Sequence, residues 1–414
     1  MERFPNTAHN ERGQVLPLFA LLLVVLILFI GLAIDFGFAY VTRANLSKAV
    51  DAAALAGIRS VSAQGETNAK EIALNAFNMN YGSSGRDTNG TPVPELNFAN
   101  DETGAKFLDV KATATINTFF IRILPQWTTL KVGAHAQAKR SPLVISMVLD
   151  KSGSLTINGG DSRLPPAVSD FISKFDDNID RASMVSFATG HVVDVAVKRP
   201  FINTIQNKIR ASKFGGGTFA MGGLQDAAAQ NASIADPNVI KVVVFFTDGW
   251  ANMNQDQLDC TNQQLIYGGC SPSEFKKGWC KNWKADTVVY YKASDAANNL
   301  DPQNQFTCGS TQFTKKNGKK ANLNMTDISD ESNYRAEQMA DTLRSQGTAV
   351  YAIGLGDTAD VISKPFLDNL ANIPGAATFN PNQPQGAVVI VPTADDLDAA
   401  FQKIANQILF RLTQ

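Results

Sequence analysis

Histidine is scarce in this chain: three residues, His9, His135 and His191, stand far apart among 414. A zinc centre built on imidazoles is not expected, because such sites draw several ligands from close spacings. Cysteine is nearly as sparse. Cys260, Cys270, Cys280 and Cys308 show none of the C-x-x-C pairing of zinc ribbons or dithiol redox motifs. Excess charge is missing as well. The formal net charge is -1, so composition gives no reason to expect nucleic acid or a strongly charged surface as partner. Catalytic signatures are also wanting: there is no G-x-S-x-G elbow and no H-E-x-x-H, and Gly215-Gly216-Gly217-Thr218 lacks the lysine of a phosphate-binding loop. An enzyme is not the expected reading. What the cysteines share is their place, one short stretch, which predicts a disulfide-tied insertion in an oxidising compartment, with the pairing left open.

One long hydrophobic run is present. Val15 to Ile34 reads VLPLFALLLVVLILFIGLAI without a charge, closed by Arg12 before it and Asp35 after it. About 20 residues at ~1.5 Å rise give ~30 Å, the thickness of a hydrocarbon core. The apolar region of a cleaved signal peptide is shorter, ~7–15 residues, and no convincing small-residue cleavage site follows directly. A retained transmembrane helix over 15–34 is expected. Arg3 and Arg12 precede it while Arg43 and Lys48 follow, so the positive-inside count is nearly balanced. The short N-terminal side and the cysteine cluster argue that the long C-terminal part is exported.

Beyond Asp35, Ala39, Leu46, Ala49, Val50, Ala53 and Gly57 recur at helical spacing. Small residues on one helix face permit close backbone approach. Residues 60–105, rich in Asn, Gly, Ser and Thr, read as loops on a small domain. Residues 107–140 alternate as strands, with Val110, Ala112 and Ala114 on one face and Lys111 and Thr113 on the other, predicting a small sheet against the exposed helix.

The segment ERGQVLPLFALLLVVLILFIGLAIDFGFAYVTRANLSKAVDAAALAG resembles the N-terminus of the TadG-like proteins of the Tad (tight adherence, Flp) pilus-assembly system. Gly13 before the apolar run, Asp35 at its end and Asp51-Ala52-Ala53-Ala54-Leu55-Ala56 carry the likeness, and Phe107–Arg140 resembles the strand-rich piece that follows there. Gln14 to Leu18 contains no glutamate of the kind that follows the processing glycine of true prepilins. The resemblance implies a single-pass protein of the bacterial inner (cytoplasmic) membrane, with pilus or secretion-system components as partners and the C-terminal domain in the periplasm or outside the cell. The expected plan is a short cytoplasmic N-terminus (1–14), the membrane helix (15–34), a pilin-like α+β region (35–142) and a larger domain (143–414).

From Leu143 strands and helices alternate. LVISMVLD is an almost continuous apolar run ending in aspartate, as a central strand buried on both faces requires. Strands near ASMVSFA, HVVDVAV, VIKVVVFFTD and TAVYAIGLG are interleaved with helices near 165–175, 201–211, 219–232 and 334–346. In a last amphipathic helix, Leu397, Ala400, Phe401, Ile404 and Ile408 share a face. This alternation predicts an α/β fold, Rossmann-like, with a mostly parallel sheet flanked by helices and its ligand site at the strands' carboxyl ends. Residues 252–332 form an insertion that holds all four cysteines. Loops on the ligand face commonly set specificity, so it is a candidate for partner selection; a decorative subdomain is the alternative.

Asp150-Lys151-Ser152-Gly153-Ser154 puts one carboxylate and two hydroxyls on a tight loop after the first of these strands. Gly215-Gly216-Gly217-Thr218 opens a helix, and Asp248-Gly249 ends the fourth strand. Three loops at strand carboxyl ends converge. Two carboxylates and three hydroxyls make an all-oxygen set suited to a hard cation such as Mg²⁺ (or Mn²⁺ or Ca²⁺), which usually keeps open or water-filled positions. A partner's Asp or Glu carboxylate can then complete the shell. The set resembles the metal-ion-dependent adhesion site (MIDAS) of von Willebrand factor A (VWA) domains. That resemblance implies Ser152, Ser154 and Thr218 as direct ligands and Asp150 and Asp248 as direct or water-mediated ones. The function it implies is metal-dependent binding of a partner protein. Two other functions compete: a VWA adaptor or scaffold for an ATPase complex, as in chelatases, and a structural platform without metal-dependent binding.

Overall fold

The computed structural model describes residues 15–82, 90–101, 105–269, 275–276, 279–280, 288–356 and 362–411. The chain divides into two compact units, Met1–Asn100 with Phe107–Lys139, and Asp101–Lys106 with Arg140–Gln414.

The first unit is built on α1 (Val15–Tyr81), β1 (Glu95–Asn100), β2 (Lys106–Asn117) and β3 (Thr129–Arg140), with the strands in that order across one sheet. The apolar stretch of α1 is long enough to cross a membrane, and its side chains are almost all exposed. Further along, the helix is broken at Gly65, whose φ of 73° and ψ of 169° lie in a region open essentially to glycine alone. The residues after the break, 66–81, are helical. The expectation of loops over 60–105 is thus corrected for 60–81, which is helical, and for Glu95–Asn100, which forms β1. Ala69, Ala73, Phe77 and Tyr81 recur every fourth residue, a helical stripe that the polar composition around it obscured, and all four are buried.

Ala49, Val50, Ala53 and Ile58 meet that stripe and the inner face of β2, where Leu108, Val110, Ala112 and Ala114 are buried. Lys111 and Thr113 point outward, as alternation requires. The packing is close. A Cβ added at Gly57 would lie 2.4 Å from Leu108 Cδ2 and 3.0 Å from Ala73 Cβ.

The second unit opens with β4 (Leu143–Asp150), every residue of which is buried. There follow α2 (Leu155–Asn158), α3 (Gly160–Ile172), β5 (Arg181–Phe187), β6 (His191–Lys198), α4 (Ile202–Arg210), α5 (Ala220–Ala232) and β7 (Ile240–Thr247). Then come the insertion's strands, β8 (Met253–Gln257), β9 (Gln264–Gly268), β10 (Phe275–Lys276), β11 (Trp279–Cys280) and β12 (Val289–Lys292), with α6 (Ala293–Ala296), β13 (Gln312–Thr314) and β14 (Lys320–Asn322). The chain closes through α7 (Met325–Ser345), β15 (Ala349–Leu355), α8 (Lys364–Ala371), β16 (Val388–Val391) and α9 (Leu397–Arg411). The main sheet runs β16-β15-β7-β4-β5-β6, parallel throughout except for the edge strand β6.

Helices α3, α4 and α9 supply Leu164, Phe171, Ile205 and Phe401 to the core on one face. Helices α5, α7 and α8 supply Leu224, Leu343, Leu367 and Leu370 to the other. A sheet covered on both sides needs continuous apolar strands, which is why β4, β7 and β15 do not alternate. The helix read near 334–346 begins earlier, at Met325, where Asn324 caps it by accepting from Asp327 N. Helix α8 and strand β16 were not read from the sequence; both are short.

The insertion has its own small sheet, β12-β9-β8, and its own core of Leu258, Leu265, Tyr267, Phe313 and Ile328. Cys260 and Cys308 are joined in a disulfide across 48 residues. Closing a loop of that length restricts the unfolded chain by about 4 kcal/mol in the chain-entropy account. Cys270 and the side chain of Cys280 lie outside the described residues.

Gly57→Val should destabilise the first unit by about 1–3 kcal/mol, the usual range for overpacking. It should be read as faster amide exchange in β2 than in the wild type. Gly37→Val, where nothing lies within 4 Å of the added Cβ, should leave that exchange unchanged.

Candidate functional site

Strands β4 and β7 are neighbours with Leu149 opposite Phe246, so their ends bring Asp150 beside Thr247 and Asp248. The Thr247 hydroxyl donates to Asp150 Oδ2 at 2.6 Å, and Ser152 N donates to Asp150 Oδ1 at 2.8 Å, curling the loop back on its own first residue. The Ser152 and Ser154 hydroxyl oxygens then lie 3.1 Å apart. From the third loop Asp248 closes the arrangement: its Oδ1 accepts from the Ser154 hydroxyl at 2.7 Å and its Oδ2 from Asn158 Nδ2 at 2.6 Å.

The second loop is joined to the first through backbone bonds, Gly215 N to Lys151 O at 2.9 Å and Gly153 N to Gly216 O at 3.1 Å. Glycine is needed here for two reasons. Gly216 has φ of 84°, and a Cβ at Gly217 would lie 2.8 Å from the Met253 sulfur. Thr218, buried, is pinned to the start of the insertion: its N–H donates to Asn252 Oδ1 at 2.8 Å, and Asn252 N returns a bond to Thr218 O at 3.0 Å.

All five predicted residues therefore stand on loops that meet at one edge of the sheet. Ser152, Ser154 and Asp248 are linked side chain to side chain, Asp150 adjoins them through Ser152 N and Thr247, and Thr218 is tied in through its backbone. Thr247 and Asn158 were missed. The only sequence signal for Thr247 was its place directly before the strand-end aspartate; Asn158, four residues after Ser154, carried none. Asn252 is the clamp between the second loop and the insertion.

Lys151, in the middle of the first loop, is buried, and its ammonium meets Asp194 of β6 at 2.9 Å. Asp194 also accepts from the Ser186 hydroxyl and lies 3.5 Å from Lys208. The lysine's charge is thereby satisfied within β5, β6 and α4 and does not neutralise the two carboxylates.

Those carboxylates are 0% and 2% exposed, for Asp150 and Asp248. Burial pushes the Asp150 carboxyl up to about 6. Burial, and then the nearby Asp150 charge, pushes Asp248 up to about 7. Removing an anion from water favours its neutral form, and two such anions side by side add repulsion. Hydroxyl and amide donors only partly offset this. Among the described residues no three or more His, Cys, Asp or Glu side chains are grouped so as to hold a metal ion, so any cation here would rely on the hydroxyls of Ser152, Ser154 and Thr218 beside the two carboxylates. An all-oxygen donor set with two buried like charges fits a small, hard divalent cation.

An open, doubly wound sheet with loops gathered at its carboxyl edge is the architecture of von Willebrand factor A domains. Residues 145–266 match the von Willebrand factor type A domain profile, and residues 13–64 match the Flp pilus-assembly TadE/G-like profile. A search of curated proteins found none that matches. Solved structures similar to this chain include the vWF domain of the type V pili tip protein Mfa5 from Porphyromonas gingivalis, at 16% identity and TM-score 0.41, covering 66% of this chain and 97% of that one. The PilB minor pilin from Streptococcus sanguinis is similar at 14% identity and TM-score 0.42, with 78% and 79% covered. The pilus adhesin SpaC from Lactobacillus rhamnosus GG is similar at 15% identity and TM-score 0.41, with 80% of this chain and 35% of that one covered. Likeness at this level identifies neither a function nor a partner.

Because both carboxyls hold protons more tightly folded than unfolded, the native state binds more protons between about pH 4 and about pH 7. The metal-free protein should therefore lose stability as pH rises through that window. Asp248→Asn removes one of the paired charges. With chelator present, its Tm should fall less than that of the wild type between about pH 5 and about pH 8. Parallel profiles would show that the pair is not under electrostatic strain.

Proposed function

We propose that this chain is a membrane-anchored envelope protein of Tad-type pilus assembly or adhesion. In this reading its VWA domain binds a protein partner through a divalent metal held at the loop cluster, a metal-ion-dependent adhesion site. The observation that carries the proposal is the meeting of Asp150, Ser152, Ser154 and Asp248 across two separated loops, with Ser154 bonded to Asp248 at 2.7 Å. Ser152, Ser154 and Thr218 would ligate Mg²⁺ directly, with Asp150 and Asp248 supplying the charge. When bound, the ion offers a remaining position to a carboxylate from the partner. No bond is made or broken in the protein or the partner; the chemistry is coordination.

The insertion is well placed to select that partner. Asn252 and Met253 abut Thr218 and Gly217, Gly190 N donates to Leu300 O at 3.1 Å, and Asp301 lies 3.6 Å from the position of a Cβ on Gly215. The same segment is held by α7. Arg335 reaches Glu331, Asp256 and two backbone carbonyls, while Ser329 and Ser332 donate to Ala251 O and Met253 O. The described residues beside the site are thus held by hydrogen bonds to α7. The insertion's disulfide accords with an exported location, the periplasm or the cell exterior, with the chain anchored in the inner membrane.

Calorimetry of the full-length protein in detergent should show saturable Mg²⁺ binding. Asp150→Ala should abolish it and Thr218→Ala should weaken it by at least about tenfold, the lower end of what loss of a metal ligand's supporting partner costs, with circular dichroism unchanged. Wild-type binding in both variants would remove the metal assignment. Sidedness has a separate test. Protease added outside spheroplasts should digest the VWA domain while intact membranes protect a cytoplasmic marker; protection of the domain would move it to the cytoplasm and favour the ATPase-adaptor alternative.

A further inference from the structure

The connection between β2 and β3 has no part in the metal site, yet it has an unusual surface. Two 3-10 turns, Ile121–Ile123 and Pro125–Trp127, present Ile123 at 71% exposure, Leu124 at 52% and Trp127 at 45%, with Arg122 also exposed among them. Soluble surfaces rarely gather large apolar side chains in this way unless something covers them.

The same loop is fastened to the membrane helix within the first unit. Asp35, 2% exposed, accepts from the backbone N–H of Phe119 at 2.9 Å, of Phe120 at 2.9 Å and of Ile121 at 2.8 Å. Phe120 then lies directly over Gly31: a Cβ there would be 2.6 Å from Phe120 Cβ, so only glycine admits the contact. Gly31 is four residues before Asp35, ~6 Å along the helix axis, inside the uncharged apolar run. The loop consequently reaches back past the end of that run.

A non-helical backbone at such a depth is tolerated only if its polar groups are satisfied internally. Here they are met by Asp35 and by the turns themselves, with Ile123 N donating to Phe120 O, Leu124 N to Ile121 O and the Thr118 hydroxyl to Trp127 O. A buried carboxylate with three amide donors is otherwise hard to account for at the end of a lipid-facing helix. Tryptophan and arginine beside aliphatic residues suit the headgroup region, where an apolar body and a polar or charged end are both accommodated.

We infer that the β2–β3 connection is a second membrane contact, an apolar loop docked into the bilayer interface beside the helix and held at its depth by Asp35. Continuity with the exposed apolar face of α1 identifies lipid, rather than a protein groove, as the occupant. The inference rests on the reading of 15–34 as a membrane anchor.

The photo-reactive residue benzoylphenylalanine is placed singly at Leu28, Ile123 or Thr113 of the full-length chain, reconstituted in vesicles of phosphatidylethanolamine and phosphatidylglycerol. After irradiation, mass spectrometry should find lipid adducts at positions 28 and 123 and none at 113, which is exposed on β2. Adding Asp35→Ala should cut the adduct at 123 several-fold and leave that at 28 unchanged. Since that variant can also disorder the loop, Ile123→Glu with Leu124→Glu is the second arm. With the probe moved to Phe119, this pair should cut the lipid adduct several-fold with circular dichroism unchanged. Adducts at 28 without any at 123, or a protein–protein cross-link from 123 to a second copy, would overturn the loop's role. No adduct at 28 would overturn the anchor itself.

Discussion

Two aspartates at the ends of adjacent parallel strands are the constraint from which the VWA unit is best understood. Register places them: Asp150 completes β4, and Asp248 follows β7 by one residue. Both are withdrawn from water, and the Asp150 charge raises the cost of ionising Asp248. The first loop bends so that Ser152 N meets Asp150 and Ser154 reaches Asp248. The second loop needs Gly216 and Gly217 to pass closely enough for Thr218 to join. The apolar strands beneath hold these ends in place. Phe187 and Phe245 stack at 5.5 Å and Phe171 meets Phe401 edge-on at 5.7 Å, one pair on each face of the sheet. A site whose members come from separate loops depends on such rigid support.

Most of this architecture was legible because buried parallel strands write themselves as unbroken apolar runs. LVISMVLD and IKVVVFFT leave little choice, and each ends where chemistry begins. The five oxygen-bearing residues were legible for the same reason: each falls at a strand end or a helix start. What remained hidden is cross-loop hydrogen bonding. Thr247, Asn158 and Asn252 matter through a partner 97, 90 and 34 residues away, and no local periodicity reports such a distance. Helix 66–81 was hidden differently. Its stripe of Ala69, Ala73, Phe77 and Tyr81 is regular, but two of its four members are alanines, and the asparagine-rich remainder resembles a loop in composition.

The insertion shows how a long excursion can be made part of a site. Left as a free loop, a chain of this length would not border a ligand position with any fixed geometry. Its own core, the disulfide across 48 residues and the hydrogen bonds from α7 remove that freedom. Asn252 then transmits the position of the insertion's first residue to Thr218 through a reciprocal pair of bonds. If the proposed site holds a metal, its geometry and the position of the insertion share one structural support, since a shift of β8 moves the backbone that carries Thr218.

Buried carboxylates elsewhere in the chain clarify why the pair at the sheet's edge is different. Asp35 is surrounded by three backbone N–H groups. Asp180 accepts from Arg140 at 3.0 Å and from Leu143 N and Asp176 N. Half-buried Asp177 likewise accepts from Phe201 N and Ile202 N. These donors are fixed parts of the backbone or a permanent cation, so each carboxylate is committed to holding one piece of chain. At Asp150 and Asp248 the side-chain donors are mainly the hydroxyls of Thr247 and Ser154, and a hydroxyl oxygen has lone pairs of its own to offer. Rotation of the Ser154 O–H turns a donor into a ligand without moving a heavy atom. On the proposed reading a cation would enter by exchanging these hydroxyl hydrogen bonds for coordination, whereas at Asp35 or Asp180 it would first have to displace backbone N–H groups or a guanidinium. That difference in the kind of donor, more than the presence of acid, is the argument for the loop cluster over the other carboxylates as the proposed metal site.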